Sequence, residues 1–251
     1  MKWNRLLYFD VETTSLDPEV ASIREMAFVK EVDGMQVGDV VNLKVKPILH
    51  FEDQLYGGER LADFCGEFNS KYRDGDPKRL VPFAFSEGDP LFMYAKELLT
   101  FNLPAPQKAD PGAWLLGKES MSAKKALMTL IEYLSEPSGI DGITKWVLVG
   151  HNIGFDLDVL TWWSRRILGT HEAEKQILSK INKWVTLDTL PLVRWFQWSG
   201  RIRSQTARLG DAADALGINT DGLHTAAGDI RMTQEIIMKL LKPEYDFEIP
   251  F

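Results

Sequence analysis

At 251 residues, with 45% hydrophobic and 26% charged side chains, the chain suits one large α/β domain, or a domain carrying a long insertion, with ample material for a core. A formal net charge of −7 excludes a protein that gathers nucleic acid by a global positive field, and leaves room only for a local basic rim. The lone Cys65 excludes an intrachain disulfide and a cysteine-based zinc cluster, and the first apolar run breaks at Asp10, too soon for a signal peptide or membrane span; a cytoplasmic protein with no membrane partner is expected.

In chain order, Arg5 to Val11 is a short apolar run with Asp10 near its end, as in a buried central strand. Ile23 to Val32 and Val37 to Pro47 read as two more strands, with Asp33-Gly34-Met35-Gln36 as the hairpin turn. Ser122 to Leu134 has helical spacing of Ala126, Leu127, Leu130, Ile131 and Leu134, with Ser122 as N-cap. Trp146 to Val149 is a fourth strand, leaving through Gly150-His151-Asn152 into a helix that continues to about Leu168. Trp184 to Leu187 is a fifth strand, followed by a helix from Leu190 to Trp198 with Pro191 in its first turn. Helices over Arg208 to Leu216, stopped at Gly217, and over Ala226 to Leu241 complete the pattern.

Three consecutive strands, then alternating helices and strands, imply an α/β fold with a mixed five-stranded sheet flanked by helices. Sites in such sheets lie at the carboxyl ends of strands where the order reverses, and Asp10 and His151-Asn152 both fall there. The stretch from about 51 to 120 does not fit this plan. It is rich in aromatics, Pro and Gly and holds more acids than bases, and its length argues against a plain loop. It reads as an ordered insertion after the third strand, inside a single domain of residues 1–251.

Chemistry concentrates in three short segments. Asp10 and Glu12 are two apart on a strand, so both project to one face, and two such charges repel unless a cation lies between them. Hard oxygen ligands select Mg²⁺ or Mn²⁺. Asp156 lies in the first turn of its helix behind Asn152 as cap; taken alone it reads as an acid favoured by the helix dipole. His224 and Asp229 flank the start of the last helix; alone, a histidine carries little weight, but beside a metal it suits proton transfer near neutral pH. Four carboxylates and a histidine fit in-line attack of water on a phosphodiester assisted by two metal ions.

Together the segments Asp10-x-Glu12-Thr13-Thr14, Asn152-x-x-x-Asp156 and His224-x-x-x-x-Asp229 resemble, in order and spacing, the three motifs of the DEDDh 3′–5′ exonucleases, with the histidine pointing to the His-type branch. Further similarity lies in Leu187-Asp188-Thr189-Leu190 and in Leu209 to Ile218, and the resemblance covers roughly residues 3–48 and 121–241. It implies an RNase H-like fold and a hydrolase, similar to proofreading domains, that releases nucleoside 5′-monophosphates from DNA 3′ ends, single-stranded, frayed or mismatched. Two Mg²⁺ ions are implied, with Mn²⁺ able to substitute. Asp10 would bridge them, Glu12 and Asp229 would serve the metal on the nucleophile side, Asp156 the other, and His224 would be the general base. Thr13 and Thr14 would contact the terminal nucleotide, Leu16 would wedge beside the last bases or pack as an ordinary core residue, and His151, Asn152 and Phe155 would shape the pocket.

Two features depart from that pattern: Ser15 stands where the family often has Gly, and the 51–120 insertion exceeds what compact members carry. The insertion is expected to lid the cleft or dock a protein partner, and the 243–251 tail to pack on the domain or bind a partner. Arg165, Arg166, Arg194, Arg201, Arg203 and Arg208 are candidates for holding the nucleic-acid backbone. Other readings stay open: an exoribonuclease on short RNA, a catalytically inactive nucleic-acid- or protein-binding domain, and a small-molecule phosphodiesterase using the same carboxylates.

Overall fold

The computed structural model describes residues 5–13, 16–19, 21–45, 48–49, 81–82, 121–135 and 145–241. The first three strands, β1 (Arg5–Thr13), β2 (Ile23–Val32) and β3 (Met35–Lys44), form an antiparallel meander. The β2–β3 turn is tighter than the sequence suggests. Only Asp33 and Gly34 lie between the strands, both with positive φ (52° and 81°), as a type I′ turn requires, so Met35 and Gln36 already belong to β3.

β4 (Trp146–Gly150) pairs parallel to β1 on its other side, and β5 (Ile181–Asp188) pairs parallel to β4, giving the order β3-β2-β1-β4-β5. The chain reverses its order across the sheet at β1, which is therefore both the central strand and the switch point. The expected mixed five-stranded sheet is thus present. Within the expected insertion only Val81–Pro82 is described, pairing antiparallel with Ile48–Leu49; the rest of 51–120 and the 243–251 tail lie outside the described residues.

Side-chain alternation along β1 assigns the helices to the two faces. Leu7, Phe9 and Val11 point into a core built with Ala126, Leu127 and Leu130 of α1 (Ala123–Ser135) and Val159, Leu160 and Trp163 of α2 (Ile153–Leu168). Leu6 and Tyr8 point the other way, against Val147, Val149 and the start of α6 (Ala226–Leu240), including Ala226 and Ile230. A third cluster joins Val193 and Phe196 of α4 (Thr189–Trp198), Ala212 and Ala213 of α5 (Leu209–Ala215), and Met232, Ile236 and Leu240 of α6. α6 is the hinge pin of this arrangement, buried against the sheet at its start and against α4 and α5 along its length.

The short helix α3 (Thr170–Gln176) has no counterpart in the sequence reading. Its segment, Thr-His-Glu-Ala-Glu-Lys-Gln, buries only Ala173, so it lacks an apolar period to detect. Among the described residues no helix is long and apolar enough to cross a membrane. Leu148 is fully buried at the centre of the sheet. Leu148→Ala is expected to lower unfolding stability by about 2–5 kcal/mol in urea titration.

Candidate active site

β1 runs on to Thr13, two residues further than the sequence reading, while β4 pairs with it only from Leu6 to Tyr8 and ends at Gly150. Asp10 and Glu12 therefore project past the end of β4, on the sheet face that carries Leu6 and Tyr8 and is covered by α6. Asp229 sits in the first turn of α6, and carboxylate oxygens of Asp10, Glu12 and Asp229 all lie within 4.8 Å of one another. Asp156 comes from the opposite layer, in the first turn of α2. It is 5% exposed, and its Oδ1 accepts the backbone N–H of Val11 at 3.0 Å. The strand end thus separates two helices that each present an acid to it.

The turn before α6 is shaped by backbone contact. The Thr225 Oγ1 caps α6 by accepting the Gly228 N–H at 3.1 Å, and its hydroxyl donates to the Gly222 carbonyl at 2.7 Å. A Cβ on Gly228 would stand 2.0 Å from that same carbonyl oxygen, so no larger residue fits there. The turn holds His224 at φ 67°, where its backbone N–H donates to Asp229 Oδ1 at 3.1 Å. The His224 ring remains exposed and faces the cleft.

Charge crowding marks the site. Burial first, then the neighbouring Asp156, Asp229, Glu12 and Glu25, hold the Asp10 carboxyl well above the ordinary carboxylate range. Burial also raises Asp156, against the lowering effect of the Val11 N–H. Asp229 is pushed up to about 7, by burial and then by Glu12, against the His224 N–H. Glu12 is offset by Arg24, a guanidinium only 3% exposed whose Nη2 lies 2.8 Å from Glu12 Oε2. Hard oxygens that repel each other across such distances fit a divalent cation of the Mg²⁺ or Mn²⁺ type.

On the other side of the cleft, two linkages hold the wall together. His151 Nε2 bonds the Ala207 carbonyl at 2.9 Å and Nδ1 the Thr189 hydroxyl at 2.9 Å. A carbonyl only accepts, so Nε2 carries the proton; the one Thr189 hydroxyl proton is shared between Nδ1 and the Gly150 carbonyl at 3.2 Å, and burial pushes the His151 pKa down. Asn152 stands at the N-cap position of α2 but in the left-handed region (φ 65°), with no side-chain cap bond. The expected capping role is thus absent, because that backbone geometry turns its N–H to Asp188 Oδ1 at 2.8 Å instead. The same Asp188 oxygen caps α4 through Leu190 N at 2.9 Å.

The resulting cleft, of about 1030 Å³, brings together all five motif residues, Asp10, Glu12, Asp156, His224 and Asp229, with Thr13, Leu16, His151, Asn152 and Phe155. Thr14 lies outside the described residues. Leu16 is 89% exposed at the rim, which removes its reading as a packed residue. Of the candidate arginines, Arg194 and Arg208 line the facing wall. Arg165 instead pairs with Glu174 at 3.9 Å, and Arg166 donates to the carbonyls of Glu19 (2.9 Å) and Ala21. Arg24 and Asp188 are the residues that the sequence reading left without a role. Their signals were present: an Arg-Glu pair inside an apolar strand, and an acid directly before a helix that has proline in its first turn.

No family model matches the sequence, and no curated protein matches it. Solved structures do. Exonuclease I from Methylocaldum szegediense superposes with a TM-score of 0.56 at 16% identity, over 96% of this chain and 41% of its own. E. coli exonuclease I in complex with a dT13 oligonucleotide gives 0.55 at 14% identity, over 96% and 42%. This is an exonuclease I-like fold. The chain spans about two fifths of the length of the exonuclease I structures it matches.

Two outcomes are expected. Mg²⁺ should raise the melting temperature of the wild type, and Gly228→Ala, by displacing the turn that holds His224 and Asp229, should remove that rise. Because Asp10, Asp156 and Asp229 are all raised on folding, the stability they confer is complete below the unfolded value of about 4 and is lost as pH rises through their folded values, which for Asp229 is about 7. In EDTA the melting temperature should therefore climb as pH falls from about 8 to about 5.5, and saturating Mg²⁺ should flatten that slope.

Proposed function

We propose that the chain is a metal-dependent 3′–5′ exonuclease that releases nucleoside 5′-monophosphates from DNA 3′ ends, single-stranded or frayed. The observation that carries this reading is the convergence of Asp10, Glu12, Asp156, Asp229 and His224 in one cleft, faced by Arg194 and Arg208. The exonuclease I-like fold supports it, as does the dT13 strand bound by one of the similar structures.

In this reading Asp10, Glu12 and Asp229, with Asp156 beside them, would hold the divalent cations, Mg²⁺ being the expected ion and Mn²⁺ a substitute. Cations bound there supply an acidified water and neutralise charge that builds on the phosphate. The chain's own groups do the rest. His224, exposed to the cleft on its left-handed turn, takes the proton from the attacking water. Its backbone N–H fixes Asp229, and the Val11 N–H fixes Asp156, so neither carboxylate must reorganise. Arg194 and Arg208 face the strand's phosphates from the opposite wall. Thr13 and Thr14 contact the terminal nucleotide and Leu16 wedges at the rim. Both ring nitrogens of His151 are engaged within the protein, so it shapes the pocket by position, beside Asn152 and Phe155.

The test is a 5′-labelled strand with Mg²⁺, offered as single-stranded DNA, RNA, and a duplex with a mismatched 3′ end. A ladder shortening from the 3′ end is expected, fastest on single-stranded DNA; internal cuts would sink the proposal. Asp10→Ala should abolish shortening, and His224→Ala should lower kcat by about 100-fold or more, the range of general-base contributions.

A further inference from the structure

Residues 189–208, comprising α4 and the loop to α5, contain Arg194, Arg201, Arg203 and Arg208 and no acid, in a chain of net charge −7. Two hydrogen bonds fix the loop of this basic strip in place. Gln197 Nε2 donates to Ser204 Oγ at 2.8 Å and so ties the loop to the helix. His151 fastens the loop's far end through the Ala207 carbonyl. The strip begins inside the cleft, where Leu190, Arg194, Thr206 and Arg208 form the wall facing the carboxylates.

From there, helical spacing gives it a direction. α4 buries Thr189, Val193 and Phe196 against the core, which turns Leu190 and Arg194 to the cleft. The next residue on that ridge, four beyond Arg194, is Trp198. It is 86% exposed, and Trp195 beside it is 43% exposed with the Arg201 guanidinium 5.9 Å from its ring centroid. A large indole left in water at the end of a basic ridge that starts in a strand-binding cleft has a specific chemistry. It is a face on which a base can stack, with Arg194 one turn away on the same helix for a phosphate.

Resting on the exonuclease reading, we propose that Trp198 is a stacking platform for a base upstream of the 3′ end, and that α4 with the 199–208 loop is the track along which the single strand leaves the cleft. Leu190 and Trp198 are separated by about 12 Å along the helix axis, eight residues at about 1.5 Å each. At about 3.4 Å per stacked base, that distance corresponds to roughly three or four nucleotides. Trp198 therefore senses strand length: a dinucleotide or trinucleotide fills the cleft without reaching it, and longer strands engage it.

Equilibrium binding separates this from the chemistry. The probe is a 5′-fluorescein ten-nucleotide thymidine strand with phosphorothioate links, which resists hydrolysis, read by anisotropy in Mg²⁺. Trp198→Ala should weaken binding of the ten-mer roughly 10-fold, the size expected for loss of one stacked base, and Trp198→Phe should stay within about 2-fold of wild type. An unlabelled trinucleotide should compete equally well against both proteins, and the melting temperature should not move, since the indole is in solvent. Unchanged ten-mer affinity in Trp198→Ala, equal losses for trinucleotide and ten-mer, or no strand binding by the wild type each overturns the track. If the wild type binds the ten-mer through Trp198 yet fails to shorten an ordinary strand, the track stands and the exonuclease reading falls.

Discussion

Everything at the end of β1 is organised around like charges held too close together. Asp10, Glu12 and Asp229 share a few ångströms, Asp156 lies just across the strand, and Glu25 faces Glu12 in the adjacent strand. In a low-dielectric setting such a group is unstable unless each member has a reason to be there. The fold supplies partial reasons: two helix N-termini aimed at the strand end, one backbone N–H for each of Asp156 and Asp229, and the Arg24 guanidinium for Glu12. These offsets are incomplete, as the raised Asp10, Asp156 and Asp229 values record. Such an uncompensated cluster of hard oxygens has the chemistry that suits a divalent cation.

Most of that arrangement could be read in the sequence, for physical reasons. Two-residue spacing on a strand forces Asp10 and Glu12 to one face, and the apolar residues around them locate the strand at the centre of the sheet. The first-turn positions of Asp156 and Asp229 follow from the apolar period of their helices. Convergence was then a matter of topology, because β1 is where the strand order reverses.

What the sequence hid was whatever depends on exact backbone path. Asn152 has the composition of a cap, yet its left-handed conformation hands its N–H to Asp188. The Asp33-Gly34 turn is shorter than its neighbours implied because both residues take positive φ. The necessity of Gly228 rests on one close approach to a carbonyl six residues away, which no local pattern encodes. Arg24 sat in plain view on β2, but its importance depends on pairing with a residue of another strand.

The placement of Asp229 on α6 has a temporal consequence. α6 is the last helix among the described residues and completes both the sheet face over Leu6 and Tyr8 and the cluster that holds α4 and α5. A chain emerging from the ribosome, N-terminus first, presents Asp10, Glu12 and Asp156 long before the helix that brings the fourth carboxylate and its neighbouring histidine. Under the proposed exonuclease reading, the cluster of Asp10, Glu12 and Asp229 is complete only once α6 has docked, so its chemistry waits on completion of the fold.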